Sequence, residues 1–267
     1  VFADLNGDDW LDLLVGTVDR GIRTFINQRG VFQEMSQASG LAGVYAPMTM
    51  ALADVDSNGT LDLYVTNNRP SDIRDEGSIT LRRVGGKLVI PAQYRKRLVV
   101  SGGIVKEYGE ADFLFLNDGK AVFRKSSWTE GGFLTPQGEP LSDAPLDWGL
   151  SAAFHDINHD GLPDLYVCND FWTPDRFWIN QGDAFKLLNP ENFGKTSASS
   201  MGVDFSDYDR DGDVDLFVVD MLSRDLAMRK RQTAAQDLSD RQMTLGTYAS
   251  QVMRNTLLNN RGDGSFA

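Results

Sequence analysis

The chain has 267 residues, a formal net charge of −12 and 41% hydrophobic residues. Its length suits one large β or α/β domain or two smaller domains. The acidic balance makes nucleic acid a poor partner, and no apolar run reaches the roughly 18 residues that a membrane-spanning helix needs.

From the start of the chain, an acidic pattern of nine residues recurs four times. Asp or Asn occupies positions 1, 3, 5 and 9, and a short apolar run such as Leu63-Tyr64-Val65 follows each copy. Because these runs are rich in Leu, Val and aromatic residues, they predict buried strands. The four copies begin at Asp4, Asp54, Asp156 and Asp207.

The acidic loops are candidate sites for a hard cation. Calcium binds roughly 6–8 oxygen atoms at about 2.3–2.6 Å, and the four side-chain oxygens of one loop can converge on such an ion. The EF-hand shares the first six positions but requires Glu at position 12, where this chain has Val15, Val65, Val167 and Val218. Asp, Asn and Gly also form ordinary turns, but Asp at positions 1 and 9 of all four copies favours metal binding.

The repeated unit contains four short strands, and the acidic loop joins the first strand to the second. The third strand ends on an Asn that precedes a Gly turn, and we place this Asn at Asn27, Asn117, Asn180 and Asn259. Four-stranded units at a spacing of about 50 residues are typical of a β-propeller. We therefore expect one all-β propeller region over 1–267, with blades at about 1–46, 47–145, 146–198 and 199–267.

Two insertions interrupt this pattern after the second strand of a blade. The insertion 69–110 carries nine Lys or Arg and five Asp or Glu, and its segment 79–90 predicts a hairpin with a Gly-Gly turn. The insertion 221–254 predicts a helix over 224–236 with Ser223 as its N-cap. Both occupy the connection opposite the acidic loops and should share a face, either as a partner-binding surface or as solvated decoration.

The acidic loop with its Leu-aromatic-Val strand resembles the FG-GAP, or VCBS, repeat of integrin-α-type β-propellers. Four longer strings resemble bacterial members of the cartilage acidic protein group, whose propeller is often followed by an ASPIC/UnbV domain. These strings are 147–151, 166–176, 199–205 and 259–266.

The resemblance implies Ca²⁺ in each acidic loop, with a backbone carbonyl added at position 7. The implied side-chain ligands are Asp54, Asp56, Asn58 and Asp62; Asp156, Asn158, Asp160 and Asp164; and Asp207, Asp209, Asp211 and Asp215. The first loop, with Asp4, Asn6, Asp8 and Asp12, is a weaker site. It departs from the pattern because Asp9 occupies the position where Gly normally permits positive φ.

The resemblance also implies an exported protein that is extracellular, on the cell surface or periplasmic. Such propellers usually have seven blades, so we expect further blades and an ASPIC/UnbV domain in the full-length protein. An open arc of four blades would leave strand edges unpaired.

The sequence is compatible with two functions. The first is a calcium-stabilised, non-enzymatic binding or adhesion module for an extracellular protein or carbohydrate. The second is a propeller-fold enzyme resembling polysaccharide lyases or sugar-processing dehydratases.

The candidate ligand-binding residues lie on the insertion face. We place Asp170, Trp172 and Arg176 at its centre and the basic pair Arg82 and Arg83 as a flanking wall. The alternative for Trp172 is that it packs against the neighbouring insertion as part of the core.

Overall fold

The computed structural model describes residues 1–69, 71, 73, 77, 79–101, 103–234 and 250–267. The expected all-β class is confirmed, with 44% strand and 5% helix. Four main sheets follow one another along the chain, and their strands pair antiparallel apart from one added edge strand in the third sheet. Each acidic loop joins two consecutive strands that pair antiparallel in one sheet.

The first two sheets are meanders of four strands. Sheet 1 contains β1 (Phe2–Ala3), β2 (Asp12–Thr17), β3 (Gly21–Gln28) and β4 (Val31–Glu34). Sheet 2 begins with β5 (Ala46–Ala53) and β6 (Asp62–Asn68). The insertion follows, with β7 (Arg82–Val84), β8 (Lys87–Val89), a 3-10 turn (Ala92–Tyr94), β9 (Leu98–Ser101) and β10 (Ile104–Glu107). Sheet 2 resumes with β11 (Phe113–Asn117) and β12 (Phe123–Lys125).

Sheets 3 and 4 repeat the arrangement with additions at their edges. Sheet 3 contains β13 (Phe133–Leu134), β14 (Gly149–His155), β15 (Asp164–Asn169), β16 (Arg176–Asn180) and β17 (Phe185–Leu187), with β13 parallel to β17. Helix α1 (Pro190–Phe193) and β18 (Lys195–Ser197) follow. Sheet 4 contains β19 (Ser200–Ser206), β20 (Asp215–Asp220) and β22 (Thr256–Leu258), and an isolated bridge joins Asn260 to Phe266. Its insertion carries α2 (Leu226–Ala234) and β21 (Ser250–Val252).

The predicted secondary structure of the insertions is largely confirmed, with a correction at one helix cap. The hairpin forms with Gly85 and Gly86 in its turn, although β7 and β8 are shorter than expected. Helix α2 begins later than expected, because the Asp225 carboxylate accepts a 2.8 Å hydrogen bond from the Met228 amide and caps the helix. The predicted cap, Ser223, instead accepts from the Asp225 amide. The predicted end of this helix lies outside the described residues.

The sheets pack face to face, with one apolar layer between each neighbouring pair. In sheets 2 and 3, the strand that follows the acidic loop contributes to two of these layers, because successive side chains point to opposite faces. In sheet 3, Leu165 and Val167 are buried toward sheet 2, whereas Tyr166 is buried toward sheet 4. Sheet 2 repeats this with Leu63 and Val65 on one face and Tyr64 on the other.

In sheets 2, 3 and 4, an Asn at or just after the end of the third strand joins the sheet to the sheet before it. The side-chain amide of Asn117 donates to the Leu5 carbonyl of the preceding loop at 2.9 Å and to Leu61 of its own loop at 3.1 Å. Asn180 makes the equivalent bond to Val55 at 2.8 Å. In sheet 4 the residue with this role is Asn260, which donates to Ile157 at 3.1 Å. The placement at Asn259 was therefore wrong by one residue.

We expect Asn117→Ala to lower the free energy of unfolding by about 1–3 kcal/mol, because it removes both side-chain hydrogen bonds that Asn117 donates at the buried junction. The measurement is urea unfolding. Gln28→Ala is the matched control, since its amide bonds Gln33 on the exposed surface, and it should change stability by less than about 0.5 kcal/mol. Equal effects of the two substitutions would contradict the assigned role of Asn117.

Candidate metal centre and binding surface

All four acidic loops share one backbone conformation, in which positions 4 and 6 have positive φ. The pairs are Gly7 (75°) and Asp9 (66°), Ser57 (56°) and Gly59 (85°), His159 (58°) and Gly161 (87°), and Arg210 (65°) and Gly212 (99°). The first loop was expected to depart at Asp9, yet it keeps the same path. Asp is among the non-glycine residues that tolerate this region best.

Backbone amides inside each loop hold the carboxylate at position 1. In the second loop, Asp54 accepts from the amides of Asn58 at 3.0 Å and Gly59 at 2.9 Å. In the third loop, Asp156 accepts from Asp160 at 3.1 Å and Gly161 at 2.9 Å. The carboxylate therefore lies inside the loop, where its remaining lone pairs can face a cation.

The Asp at position 9 joins the loop to the third strand of its sheet. In sheet 2, the buried Asp62 carboxylate accepts a hydrogen bond from the backbone amide of Val55 at 3.0 Å and from the backbone amide of Asn117 at 2.8 Å. Sheets 1, 3 and 4 make the same two bonds through Asp12, Asp164 and Asp215. Both carboxylate oxygens are thus used in folding, and each retains a lone pair for a metal.

Two loops bring three carboxylates together at a spacing that suits a metal ion. One group is Asp54, Asp56 and Asp62, the other is Asp207, Asp209 and Asp215, and within each group the oxygens lie within 4.8 Å of one another. Oxygens bound to one Ca²⁺ at about 2.3–2.6 Å can be separated by up to about twice that distance, so the groups fit such an ion.

The first and third loops differ because Asn stands at position 3. The Asn6 side-chain amide donates to Asp8 at 3.1 Å, and Asn158 donates to Asp160 at 2.9 Å. In these two loops, position 3 therefore offers an amide oxygen in place of a carboxylate. The carboxylate at position 5 accepts a hydrogen bond from that amide group. Among the described residues, a trio of acidic groups at metal-binding spacing occurs in the second and fourth loops.

Burial opposes ionisation of the position-9 carboxylates. It raises the pKa of Asp62 to about 6, with the nearby Asp56 and Asp54 carboxylates adding to the effect. Burial likewise raises the pKa of Asp164 to about 7 and that of Asp12 above its ordinary value. A bound cation would offset this cost by favouring the ionised form.

On the opposite face, the two insertions meet the connection between β15 and β16. The Glu107 carbonyl accepts from the Trp172 indole at 2.9 Å and from the Trp148 indole at 3.2 Å. From the second insertion, the Gln251 amide donates to the Thr173 carbonyl at 3.2 Å. The expectation that the insertions share a face is therefore confirmed.

An aromatic platform forms where the first insertion meets sheet 3, and we define it as Tyr108, Trp148, Phe171 and Trp172. The Trp148 and Phe171 rings make an edge contact at 5.1 Å, and Tyr108 lies 5.6 Å from Trp172. The Lys106 ammonium lies 5.4 Å from the centre of the Trp172 ring. Sequence reasoning missed Tyr108 and Trp148, because their contacts with Trp172 and Phe171 join segments far apart in the chain.

Phe171 is the most exposed member of the platform, at 48%, and its φ is 56°. Its amide donates to the Asp170 carboxylate at 2.7 Å, which holds the turn. A bulky residue in the left-handed region costs roughly 1–2 kcal/mol. Strain of this kind clusters at functional sites, so Phe171 is a candidate binding residue.

The predicted ligand-binding residues on this face have partners inside the protein. Trp172 packs against the insertion, as its alternative interpretation proposed, and Asp170 is buried. The Arg176 guanidinium pairs with the Asp147 carboxylate through two hydrogen bonds. Arg82 and Arg83 are exposed on β7.

Two buried carboxylates lie beneath the insertion face. Asp112 accepts from the Asn67 amide at 2.8 Å and the Tyr64 hydroxyl at 3.0 Å, and burial raises its pKa to about 8. Asp175 repeats this with Asn169 and Tyr166, and burial raises its pKa to about 7. In both cases a buried carboxyl group closes the connection between the second and third strands, and its burial favours the neutral form.

A cavity of about 380 Å³ lies on the loop face between sheets 3 and 4. Its lining includes His159, Lys186, Asp213 and Phe266. It is a second place where a small ligand could bind.

Comparison with known proteins identifies repeats in the chain. Residues 4–65 and 156–218 match a family described as an FG-GAP-like repeat, so the chain contains FG-GAP-like repeats. These segments hold all four acidic loops. No curated protein matches the chain.

Two solved structures show a distant likeness, each at 15% sequence identity. The first is an Agrocybe aegerita lectin that recognises non-reducing terminal N-acetylglucosamine, with a TM-score of 0.30, covering 100% of this chain and 64% of that chain. The second is the V. cholerae biofilm matrix protein Bap1, with a TM-score of 0.33, covering 83% of this chain and 34% of that chain. This chain thus spans less than two thirds of either protein, and both scores are too low to bear on function.

Among the described residues, no helix has the length and apolar character needed to cross a membrane. The ASPIC/UnbV association stays a prediction.

We expect Asp112→Asn to become more stable relative to the unsubstituted chain as pH rises from about 4 to 8. The folded-state pKa, about 8, lies above the ordinary value of 3.8. Its stabilising contribution is therefore complete below pH 3.8 and is lost as pH rises through about 8, by at most about 1.4 kcal/mol per pH unit. Urea unfolding at pH 5 and pH 8 measures this. The exposed control Asp143→Asn should show no such trend, and a pH-independent difference for Asp112→Asn would contradict the assignment.

Proposed function

We propose that the chain is part of an extracytoplasmic, calcium-binding β-propeller that acts as a non-enzymatic binding or adhesion module for a protein or carbohydrate. The observation that carries the binding role is the exposed, strained Phe171 on the aromatic platform. Exposed aromatic residues beside polar groups are typical of binding hot spots. The FG-GAP-like repeats and their sheet-on-sheet packing support the propeller.

Calcium is the ion that the loop chemistry favours. The donor atoms are oxygens alone, which suits a hard cation, and the loops are long enough to supply several of them. In the second loop the ligands would be Asp54, Asp56, Asn58 and Asp62, with a carbonyl from Thr60. The fourth loop offers four carboxylates and the third offers three with Asn158. The first loop has the same four ligand side-chain types as the third and positive φ at the same two positions, so we propose it as a fourth, weaker site.

We expect millimolar Ca²⁺ to raise the melting temperature over that measured in excess chelator. Each site adds about 2.7 kcal/mol when free Ca²⁺ is 100-fold above Kd. Mg²⁺ should substitute poorly, because it demands tight octahedral geometry and holds its water. Differential scanning fluorimetry with each ion measures the shift.

The substitution Asp209→Ala should reduce the calcium-dependent shift, because it removes a carboxylate from one trio. Asp19→Asn is the matched control, since Asp19 lies in the turn between β2 and β3, away from the acidic loops. A melting curve unaffected by Ca²⁺ and chelator would overturn the calcium assignment.

The binding surface is the aromatic platform, with the basic pair Arg82 and Arg83 as its flank. Trp172 and Arg176 shape this surface through their bonds to Glu107 and Asp147, and Phe171 presents its ring to the ligand. Trp172→Ala should weaken binding through loss of that support, and Arg82→Ala with Arg83→Ala should weaken it by removing charge.

The ligand is to be found by probing a glycan array and an extracellular protein array with the Ca²⁺-loaded chain. We then expect Phe171→Gly to weaken binding at least tenfold. Its unfolding free energy should change by less than about 1 kcal/mol, because relief of the positive φ offsets the lost contact with Trp148. Titration by calorimetry and urea unfolding measure the two effects.

Lys186→Ala tests the cavity on the loop face as the competing location. If that substitution abolishes binding and Phe171→Gly leaves it unchanged, the ligand binds on the opposite face from the one proposed. Release of unsaturated products from acidic polysaccharides, followed by absorbance, would overturn the non-enzymatic role.

In the full-length protein we expect further blades and an ASPIC/UnbV domain. Export of the full-length protein to the cell surface, the periplasm or the medium is part of the same proposal.

A further inference from the structure

The first insertion concentrates positive charge on an otherwise acidic chain. Residues 79–106 contain seven Lys or Arg and no Asp or Glu, although the whole chain carries −12. Five of the seven are exposed, and they are Arg82, Arg83, Lys87, Arg95 and Lys96. None of these five forms an ion pair with another residue that the structure describes. The insertion therefore presents a group of uncompensated cations to solvent.

The described acidic residues of this insertion lie at its base and are already paired. The Glu107 carboxylate lies 2.5 Å from the Arg97 guanidinium and 3.4 Å from that of Arg69, and Glu110 lies 2.5 Å from Arg69. The side chains of Arg69 and Arg97 are largely buried, at 11% and 13% exposure. These ion pairs fasten the insertion to sheet 2 and leave the positive charge of its hairpin without an acidic neighbour in sequence.

One face of the hairpin formed by β7 and β8 combines cations with apolar side chains. Arg82 lies opposite Val89, and Val84 lies opposite Lys87. Because cross-strand partners share a face, as do alternate residues of one strand, these four side chains lie on the same side. Val84 is 64% exposed and Val89 is 39% exposed, and both cations are exposed. We call these four residues the basic face.

The aromatic platform carries a similar mixture where the insertion meets sheet 3. The Lys106 ammonium lies 5.4 Å from the centre of the Trp172 ring, and the Phe171 ring is 48% exposed. Lys106 belongs to β10 of the same insertion. The insertion thus supplies cations both to its own hairpin and to the platform.

A polysaccharide with carboxylate or sulfate groups fits this combination. Guanidinium and ammonium groups pair with acid groups, and exposed apolar and aromatic side chains can pack against the C–H faces of sugar rings. Acid groups recur along such a polymer, so several cations can each contact one of them, and the separate contacts reinforce one another.

Other polyanions fit the insertion less well. Lys is depleted at protein–protein interfaces, so Lys87 and Lys96 favour a polysaccharide over an acidic protein. Nucleic acid carries a denser charge and would extend onto the acidic surface of the remaining chain, which repels it.

We propose that the first insertion binds an anionic polysaccharide, with Arg82 and Lys87 of the basic face contacting its acid groups and Phe171 packing against a sugar ring. Arg83, Arg95 and Lys96 add positive charge that attracts the polymer. This inference rests on the proposed function, because it names the ligand class of the binding surface described there.

The test is the affinity of the Ca²⁺-loaded chain, by titration calorimetry, for hyaluronan, which is carboxylated, and for chondroitin sulfate, which is carboxylated and sulfated. Poly-glutamate, duplex DNA and neutral dextran are the comparison polymers. We expect at least one of the two acidic polysaccharides to bind about tenfold more tightly than poly-glutamate or DNA, and dextran not to bind. Binding of hyaluronan would show that carboxylate groups suffice, whereas binding of chondroitin sulfate alone would assign the contact to sulfate. Raising the salt from about 50 to about 200 mM should weaken binding at least about fivefold.

The double substitution Arg82→Ala with Lys87→Ala should weaken polysaccharide binding about tenfold, because it removes both cations of the basic face. The matched control is Lys120→Ala with Arg124→Ala, which removes two exposed cations from sheet 2 outside the insertion. It should leave the affinity within about twofold of the unsubstituted chain. Circular dichroism and urea unfolding check that both variants remain folded.

Four outcomes would overturn the inference. They are tighter binding of poly-glutamate or DNA than of either polysaccharide, binding that salt does not weaken, equal losses in the two double variants, and no binding of either polysaccharide. If neither polysaccharide binds but a neutral glycan or a protein binds in a way that depends on Phe171, the ligand class is wrong and the proposed binding role stands. If the chain binds nothing on the arrays either, both the inference and the proposed binding role fail.

Discussion

The whole arrangement depends on one buried carboxylate in each sheet, the Asp at position 9 of the acidic loop. One of its oxygens accepts a hydrogen bond from a backbone amide at the start of the loop. The other accepts from the backbone amide of the Asn that follows or ends the third strand, which we call the tail Asn. In sheet 2 these donors to Asp62 are Val55 and Asn117. Without these bonds, the loop would have no fixed position relative to the third strand. The same tail Asn then reaches the neighbouring loop, so local loop geometry sets how one sheet is placed on the next.

This arrangement would couple the proposed metal binding to folding. Asp62 takes part in a trio of converging carboxylates and also closes its sheet, so a cation that favours the ionised form would strengthen both roles. The first and third loops keep the same backbone path with an Asn at position 3. The scaffold therefore tolerates differences in ligand charge, and affinity can vary among the loops without a change in fold.

The sequence predicted what local patterns encode: the four loops, the strands that follow them and the hairpin of the first insertion. It placed the Asn of the fourth unit at Asn259 because Asn259 and Asn260 are adjacent, and the hydrogen bonds that Asn260 donates to Asp215 and Ile157 distinguish the two. It could not predict the bond from Trp172 to Glu107, because that contact depends on how an insertion folds back over sheet 3. The positive φ of Phe171 was also beyond local rules, since bulky side chains rarely adopt it.

The side-chain hydrogen bonds of Asn117, Asn180 and Asn260 link each sheet to the sheet before it. The free energy of unfolding is therefore approximately the sum of the stabilities of the sheets and of the contacts between neighbouring sheets. Sheets 2 and 3 are held on both sides, whereas sheets 1 and 4 are each held on one side within the described residues. In the isolated 267-residue chain, amide protons of β6 and β15 should therefore exchange with solvent most slowly, and opening should start at sheets 1 and 4. Trp148, Phe171 and Trp172 of the platform lie directly before β14 and after β15 of sheet 3, so this inner sheet is the base of the surface proposed for binding.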